Sequence, residues 1–229
     1  MNILIPRRTP EERERRWIQE IYRKIQDYIK NGSKGTLDLI RTPIKILPDN
    51  LKRVDGNLWL EDSKIEDLNN LEYIRRSLDL KNTPIKKLPD NLKRIEGNLY
   101  LSNSKIEDLN NLEYVGGVLT LSETSIKKIP NNLKIFGSDG WLENSQIEDL
   151  NNLEYVNGNL DLKNTPIKKL SNNLKRVEWS LILYRSKIED LNNLEYVGGA
   201  LDLRGTPLSK NTTREEIWSK VNVKEGIYL

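Results

Sequence analysis

Asp38, Asp79, Asp161 and Asp202 each stand in the middle of a Leu-x-Leu step, and Trp59, Tyr100 and Trp141 hold the same place in intervening steps. Recurring carboxylates suggest paired acid–base chemistry or a cation site, and aligned aromatic rings suggest a stacking or contact surface. The 229 residues contain no His and no Cys, which removes imidazole and thiolate metal sites, cysteine nucleophiles and Ser-His-Asp triads. The carboxylates also fit hydrolysis poorly. Asp38 and Asp79 fall two coils apart, roughly 10 Å by strand spacing, whereas glycosidase pairs need about 5 Å for retention and about 6.5–9.5 Å for inversion. A calcium ion takes about 6–8 converging oxygens, which single carboxylates on alternate strands do not supply. No catalytic residue, metal site or cofactor is expected.

What positions these residues is an internal repeat. Ile65-Glu66-Asp67-Leu68-Asn69-Asn70-Leu71-Glu72-Tyr73 recurs almost unchanged from Ile106, Ile147 and Ile188, always 41 residues on. Each 41-residue unit holds two similar halves of 21 and 20 residues. One half carries Leu-Pro-x-x-Leu or a close variant, as in Leu47-Pro48-Asp49-Asn50-Leu51, and the other carries Leu-Asn-Asn-Leu. Leu-x-Leu has period two, so both leucines point inward and the middle residue outward. A single coil cannot bury its own apolar side, but nine stacked coils can. Ile44, Ile65, Ile85 and their successors form one inward column. The hydroxyl column Thr42, Ser63, Thr83, Ser104, Thr124, Ser145, Thr165, Ser186 and Thr206 is placed to bond the backbone at the bend after each strand.

This pattern resembles a leucine-rich repeat of the shortest class, over about residues 36–208, with Thr or Ser where that family usually has Asn. The resemblance implies a right-handed solenoid with one curved parallel sheet. Coils this short leave room only for extended chain or 3₁₀ turns on the convex side. The Leu-Pro-x-x-Leu step also resembles short-repeat bacterial effectors. The 41-residue alternation and the tail from Pro207 resemble small leucine-rich-repeat proteins encoded by large DNA phages. That resemblance implies a viral protein in the host cytoplasm, with a host-defence factor as its protein partner.

Segments at both ends read as caps. Residues 1–35 contain Thr9-Pro10-Glu11-Glu12, a helix start with its capping Glu. Trp17, Ile18, Ile21, Tyr22, Ile25, Tyr28 and Ile29 follow on one face. Residues 209–229 predict a short helix capped by Thr212 or Thr213, then a last strand at Ile227-Tyr228-Leu229. Closed ends argue against a fragment of a larger receptor. No apolar stretch reaches the roughly 18–20 residues of a membrane span, so no membrane association is expected. The short apolar start is not a signal peptide, which points to the cytoplasm.

Function is therefore sought where side chains leave the core. The outward row runs Asp38, Trp59, Asp79, Tyr100, Thr120, Trp141, Asp161, Ile182 and Asp202 on the concave face. Aromatic residues framed by charge are the composition of protein-binding hot spots; the competing reading is cross-strand packing copied by duplication. Arg75 and Arg76 stand where equivalent turns carry glycine, Trp179 replaces another turn glycine, and Tyr184 follows Leu183. These four either build a partner-specific edge or record drift. Phe136-Gly137-Ser138-Asp139-Gly140 disturbs one strand and loses its first Leu; its glycines are expected to loosen the middle. Lysine pairs such as Lys86-Lys87 alternate with acidic pairs such as Glu66-Asp67 along another side. That striping explains how 37 basic and 34 acidic residues leave a net charge of only +3.

The expected activity is non-catalytic protein recognition. Two other classes stay open. A carbohydrate-binding module would stack sugars on Trp59, Tyr100 and Trp141. A nucleic-acid binder would use Arg7, Arg8, Arg13, Arg15, Arg16, Arg23 and Lys24, although interleaved carboxylates make nucleic acid unlikely along the solenoid itself.

Overall fold

The computed structural model describes residues 9–229. Helix α1, Pro10–Lys30, begins at Thr9, whose hydroxyl accepts the Glu12 N–H at 3.1 Å while the Glu12 carboxylate accepts the Thr9 N–H at 2.9 Å. This reciprocal pairing satisfies two donors that a helix start would otherwise leave open. Ile21 and Ile25 are buried against the first coil, Tyr22 donates to the Ile46 carbonyl at 2.9 Å, and Gln26 pairs with Asn50. Trp17 departs from the expected buried face. It is 48% exposed, at the rim of a 480 Å³ hollow lined by Pro43, Arg41 and Lys64.

From Leu37 the chain is a parallel-strand solenoid of about eight turns. Each repeat coil gives a two- or three-residue strand at its Leu-x-Leu step, and nearly all add a second, upstream strand such as Arg53–Val54. The first set stacks into a ten-stranded parallel sheet and the second into a nine-stranded one. A third column of isolated parallel bridges links Ile46 to Asp67, Lys87 to Asp108, Lys128 to Asp149 and Lys169 to Asp190. The second sheet was not foreseen. The sides away from the Leu-x-Leu sheet are indeed extended, and the one 3₁₀ turn among the described residues is Leu208–Lys210, beyond the last coil. The inward Leu, Ile and Val residues of the coils form a single core, most with no exposed surface.

The repeat motif follows from the backbone it must make. The residue before each Thr or Ser is left-handed: Arg41, Asp62, Asn82, Asn103, Glu123, Asn144, Asn164 and Arg185 have φ between 54 and 58°. The hydroxyls of Thr42, Thr83, Thr124, Ser145, Thr165 and Thr206 donate to the carbonyl three residues back at 2.6–2.7 Å, which closes this bend. The column does not behave uniformly, because Ser63 and Ser104 are buried with unpartnered Oγ atoms. Ile-Glu-Asp-Leu-Asn-Asn-Leu encodes a second device. Asn69 is left-handed (φ 53°), its N–H donates to Asp67 at 2.7 Å, and its amide donates to the Leu47 carbonyl at 2.8 Å. Asn110, Asn151 and Asn192 repeat it, each reaching the coil before. Asn suits this place because it tolerates φ > 0 and carries a donor for a buried carbonyl.

The irregular coil is well filled rather than loosened. Its equivalents pair Val or Ile with Leu four residues on, as in Val177 and Leu181; here the pair is Phe136 and Gly140. A Cβ at Gly140 would lie 2.7 Å from the Phe136 ring, and Phe136 has no exposed surface. The ring thus fills the room that the missing Leu leaves.

At the C-terminal end Thr213 caps helix α2, Arg214–Trp218. The chain then adds Asn222–Val223 to the nine-stranded sheet and Gly226–Tyr228 to the ten-stranded one. Among the described residues no helix is long and apolar enough to cross a membrane.

Candidate functional site

Strand register places the outward residues in one unbroken row. Asp38, Trp59, Asp79, Tyr100, Thr120, Trp141, Asp161, Ile182 and Asp202 are successive cross-strand partners, and Tyr228 continues the row on the tenth strand. At about 4.8 Å per strand, the row is roughly 43 Å long. Trp59, Tyr100, Trp141 and Ile182 are half-buried, and Tyr228 is 48% exposed. The sequence pattern had marked the final strand but not Tyr228 as part of the surface.

The carboxylates are less free than their spacing suggested. The Oδ1 atoms of Asp38, Asp79, Asp161 and Asp202 accept the N–H two residues on, from Ile40, Lys81, Lys163 and Arg204, at 2.8–3.1 Å. Asp79, lying in the row between Trp59 and Tyr100, is only 7% exposed. Burial raises its carboxyl above the ordinary range, opposed by the Lys81 N–H and ammonium. Asp161 is raised for the same leading reason, and the Glu143 and Asp202 charges add to it. One half of each of these carboxylates therefore finishes its own strand, leaving at most the other oxygen for a ligand.

Beside this row runs a second, two residues further along each strand. Lys81 lies between Glu61 at 3.2 Å and Asp79 at 3.3 Å, with its Nζ 5.8 Å from the Tyr100 ring centre. Arg204 is held by Asp202 at 2.6 Å. Tyr184 belongs here and not with Trp179. Arg185, Arg204 and Lys163 surround its ring at 5.0, 5.5 and 5.8 Å.

The expected edge does not form one patch. Arg75 and Arg76 are exposed on the turn before Leu78, whereas Trp179, 65% exposed, lies on the turn before Leu181. Their turns are five coils apart, roughly 24 Å at strand spacing. Trp179 and Tyr184 sit at opposite ends of one strand.

Sequence reasoning passed over an ordered set on the nine-stranded sheet. There Arg53, Tyr73, Arg94, Tyr114, Ile135, Tyr155, Arg176 and Tyr196 are successive partners. The guanidinium groups of Arg53, Arg94 and Arg176 lie 4.0–4.3 Å from the neighbouring Tyr ring centres. They also pair with Asp55, Glu96 and Glu178 at 2.6–3.2 Å. The signal was the alternation of Lys-Arg-Val or Lys-Arg-Ile with Glu-Tyr-Val at 20- and 21-residue steps. Each cation is already matched by an acid and a ring, so this ladder is internally satisfied.

On α1, Arg16 pairs with Glu20 and Lys24 donates to the Asp38 carbonyl; Arg7 and Arg8 lie outside the described residues. No group of three or more acidic residues among the described residues is placed to hold a metal ion. These features define a capped repeat solenoid bearing an ordered aromatic and acidic row. No protein-family model matches the chain, and no curated protein matches it.

Proposed function

We propose that this protein is a non-catalytic recognition module of the short leucine-rich-repeat kind, binding a protein partner through its ten-stranded sheet. The observation that carries this reading is the register row. Trp59, Tyr100, Trp141, Ile182 and Tyr228 offer apolar surface from a backbone fixed by sheet hydrogen bonds, so little backbone freedom remains to be lost on binding. Polar groups flank them at fixed positions, which is the anatomy of a protein contact with an aromatic centre and a charged rim. The 20- and 21-residue coils and their Leu-x-Leu steps support the leucine-rich-repeat assignment. The resemblance to small phage-encoded repeat proteins supports a viral inhibitor acting on a host-defence protein in the host cytoplasm; that step is family analogy, not site chemistry.

The test is capture from bacterial lysate by the wild-type chain and by a Trp59→Ala/Tyr100→Ala/Trp141→Ala variant with matched thermal unfolding. The reading expects a protein retained by the wild type and lost by the variant. Equal retention by both overturns the row as the site. Retention of glycans or nucleic acid instead, the latter with steep salt dependence, overturns the partner class.

A further inference from the structure

Leu60-Glu61-Asp62, Leu101-Ser102-Asn103 and Leu142-Glu143-Asn144 are equivalent segments of alternate coils, and the next of the set reads Leu183-Tyr184-Arg185. In the first segment charge is balanced within the stack. Glu61 pairs with Lys81 at 3.2 Å, while Asp62 accepts from Arg41 at 3.3 Å and from the Asn82 amide at 2.9 Å. In the last segment both acidic positions are lost and a cation is gained, yet the flanking coils keep their cations. Arg204 is neutralised by Asp202 through contacts of 2.9 and 2.6 Å, and the Lys163 charge acts on Asp161. Arg185 makes no ion pair among the described residues, and its guanidinium lies 5.0 Å from the Tyr184 ring centre. Its side chain is nevertheless placed by the stack. Gly205 (φ 73°) stands where every preceding coil has a side chain, and a Cβ there would come 3.1 Å from the Arg185 Cγ. The glycine leaves the arginine stem its room.

Three cations therefore gather around one ring, and the ring's negative face offsets only part of their mutual repulsion. An added carboxylate would relieve it. Arg185 is exposed, so its fork of donors is open to such a group, and a guanidinium matches a carboxylate with two parallel hydrogen bonds. We infer that Tyr184 and Arg185 form the anchor for an acidic side chain, Asp or Glu, of the protein partner. Tyr184 and Tyr228, whose ring centres lie 5.5 and 5.4 Å from the Arg204 guanidinium on the strand between them, cover the stem of that side chain. Charge complementarity favours a peptide acid over nucleic acid. Asp161 and Asp202 interrupt the cations along the face, so the basic surface spans one carboxylate and not a run of phosphates. At the other end of the face the equivalent positions are acidic and already paired, so binding is directional along the row.

This inference rests on the reading of the ten-stranded face as the binding surface, and its first test needs no partner. The probe is an acetylated and amidated tetraglutamate peptide, followed by NMR of the backbone amides, with the tetraglutamine peptide as the uncharged control. The expected result is saturable shifts at Tyr184, Arg185 and Gly205 with the acidic peptide alone. The exposed Arg75 and Arg76 should not shift; they report attraction to arginine in general. Tyr184→Glu/Arg185→Asn restores the Glu143-Asn144 pair of the preceding equivalent coil. It should keep or raise the unfolding temperature and abolish the shifts. Arg185→Gln alone should weaken binding about tenfold, as loss of one charge-assisted contact implies, and it decides the matter if the double variant is destabilised. Equal shifts at Arg75 and Arg76, no shift, or undiminished binding in these variants each overturns the anchor. So does a thymidine oligonucleotide that shifts the same amides where the peptide does not. Capture from lysate that is lost in the triple row variant but kept by Tyr184→Glu/Arg185→Asn would remove only the anchor; no capture by the wild type would remove the face itself.

Discussion

Phe136 and Gly140 should be tightly coupled, because one fills the space that the other vacates. Phe136→Val alone gives the residue found at several equivalent positions but leaves Gly140 with no side chain to meet it. Phe→Ala in a core costs about 3–5 kcal/mol, and the retained isopropyl group should bring Phe136→Val to about 2–3 kcal/mol. Gly140→Leu alone restores the repeat residue against the ring. Even its Cβ would lie 2.7 Å from Phe136, so the cost is that of overpacking, about 1–3 kcal/mol or more. Gly140 has no positive φ, so the backbone itself accepts Leu. The double variant recreates the Val/Leu pair of Val177 and Leu181 with the same number of side-chain carbons, a pair that the equivalent coils already house, and should lie within about 1.5 kcal/mol of the parent, as matched hydrophobic exchanges do. The coupling is then about 3 kcal/mol in favour of the pair, the top of the range for residues in contact. Urea unfolding of all four proteins, followed by circular dichroism, measures it. Additive single effects, with the double variant the least stable, would refute the reasoning that the ring compensates for the missing Leu.

Burial raises the Asp79 carboxyl, so the folded chain holds that proton more tightly than the unfolded chain. Its contribution to stability is therefore present below the ordinary carboxyl pKa of about 3.9 and is lost as pH rises through the raised value. Asp79→Asn keeps an acceptor for the Lys81 N–H and should remove that loss, so unfolding midpoints of the two proteins should diverge upward from about pH 4. Tyr28 donates to the Ser33 and Gly35 carbonyls, and burial, with the Asp55 charge, pushes its phenol up to about 12. Stability should fall as pH climbs from about 10, the ordinary tyrosine value, through that raised pKa. Tyr28→Phe should be less stable at neutral pH yet lack this extra alkaline loss. Ser63→Ala and Ser104→Ala remove unpartnered hydroxyls and should be neutral or stabilising in thermal melts. Thr83→Val breaks the bond to the Leu80 carbonyl and should cost about 1 kcal/mol.

The coil length, the inward Leu and Ile columns, the Thr9 cap and the final strand were legible in the sequence. Each depends on a local period or on a residue type with one strong backbone use. The outward row was legible for the same reason, since alternation along a strand decides which side chains leave the core. Pairing between coils was not. Glu61 with Lys81 and Glu143 with Lys163 are the same letters in the same register. Lys81 closes on Glu61 while Lys163 makes no ion pair among the described residues, and the strand beside each carries different residues, Tyr100 and Ser102 in one place and Ile182 and Tyr184 in the other. The Arg and Tyr ladder, the Asn69 amide reaching back to Leu47, and the burial of Asp79 are likewise contacts between residues about 20 positions apart. The volume exchange between Phe136 and Gly140 lies within one strand region, yet it reads as damage until the ring is seen to occupy the Leu space. Sequence period by itself determined which residues face in and which face out. The tertiary stack decided which outward charges are already neutralised, because that depends on side-chain distances between coils, which no single repeat contains.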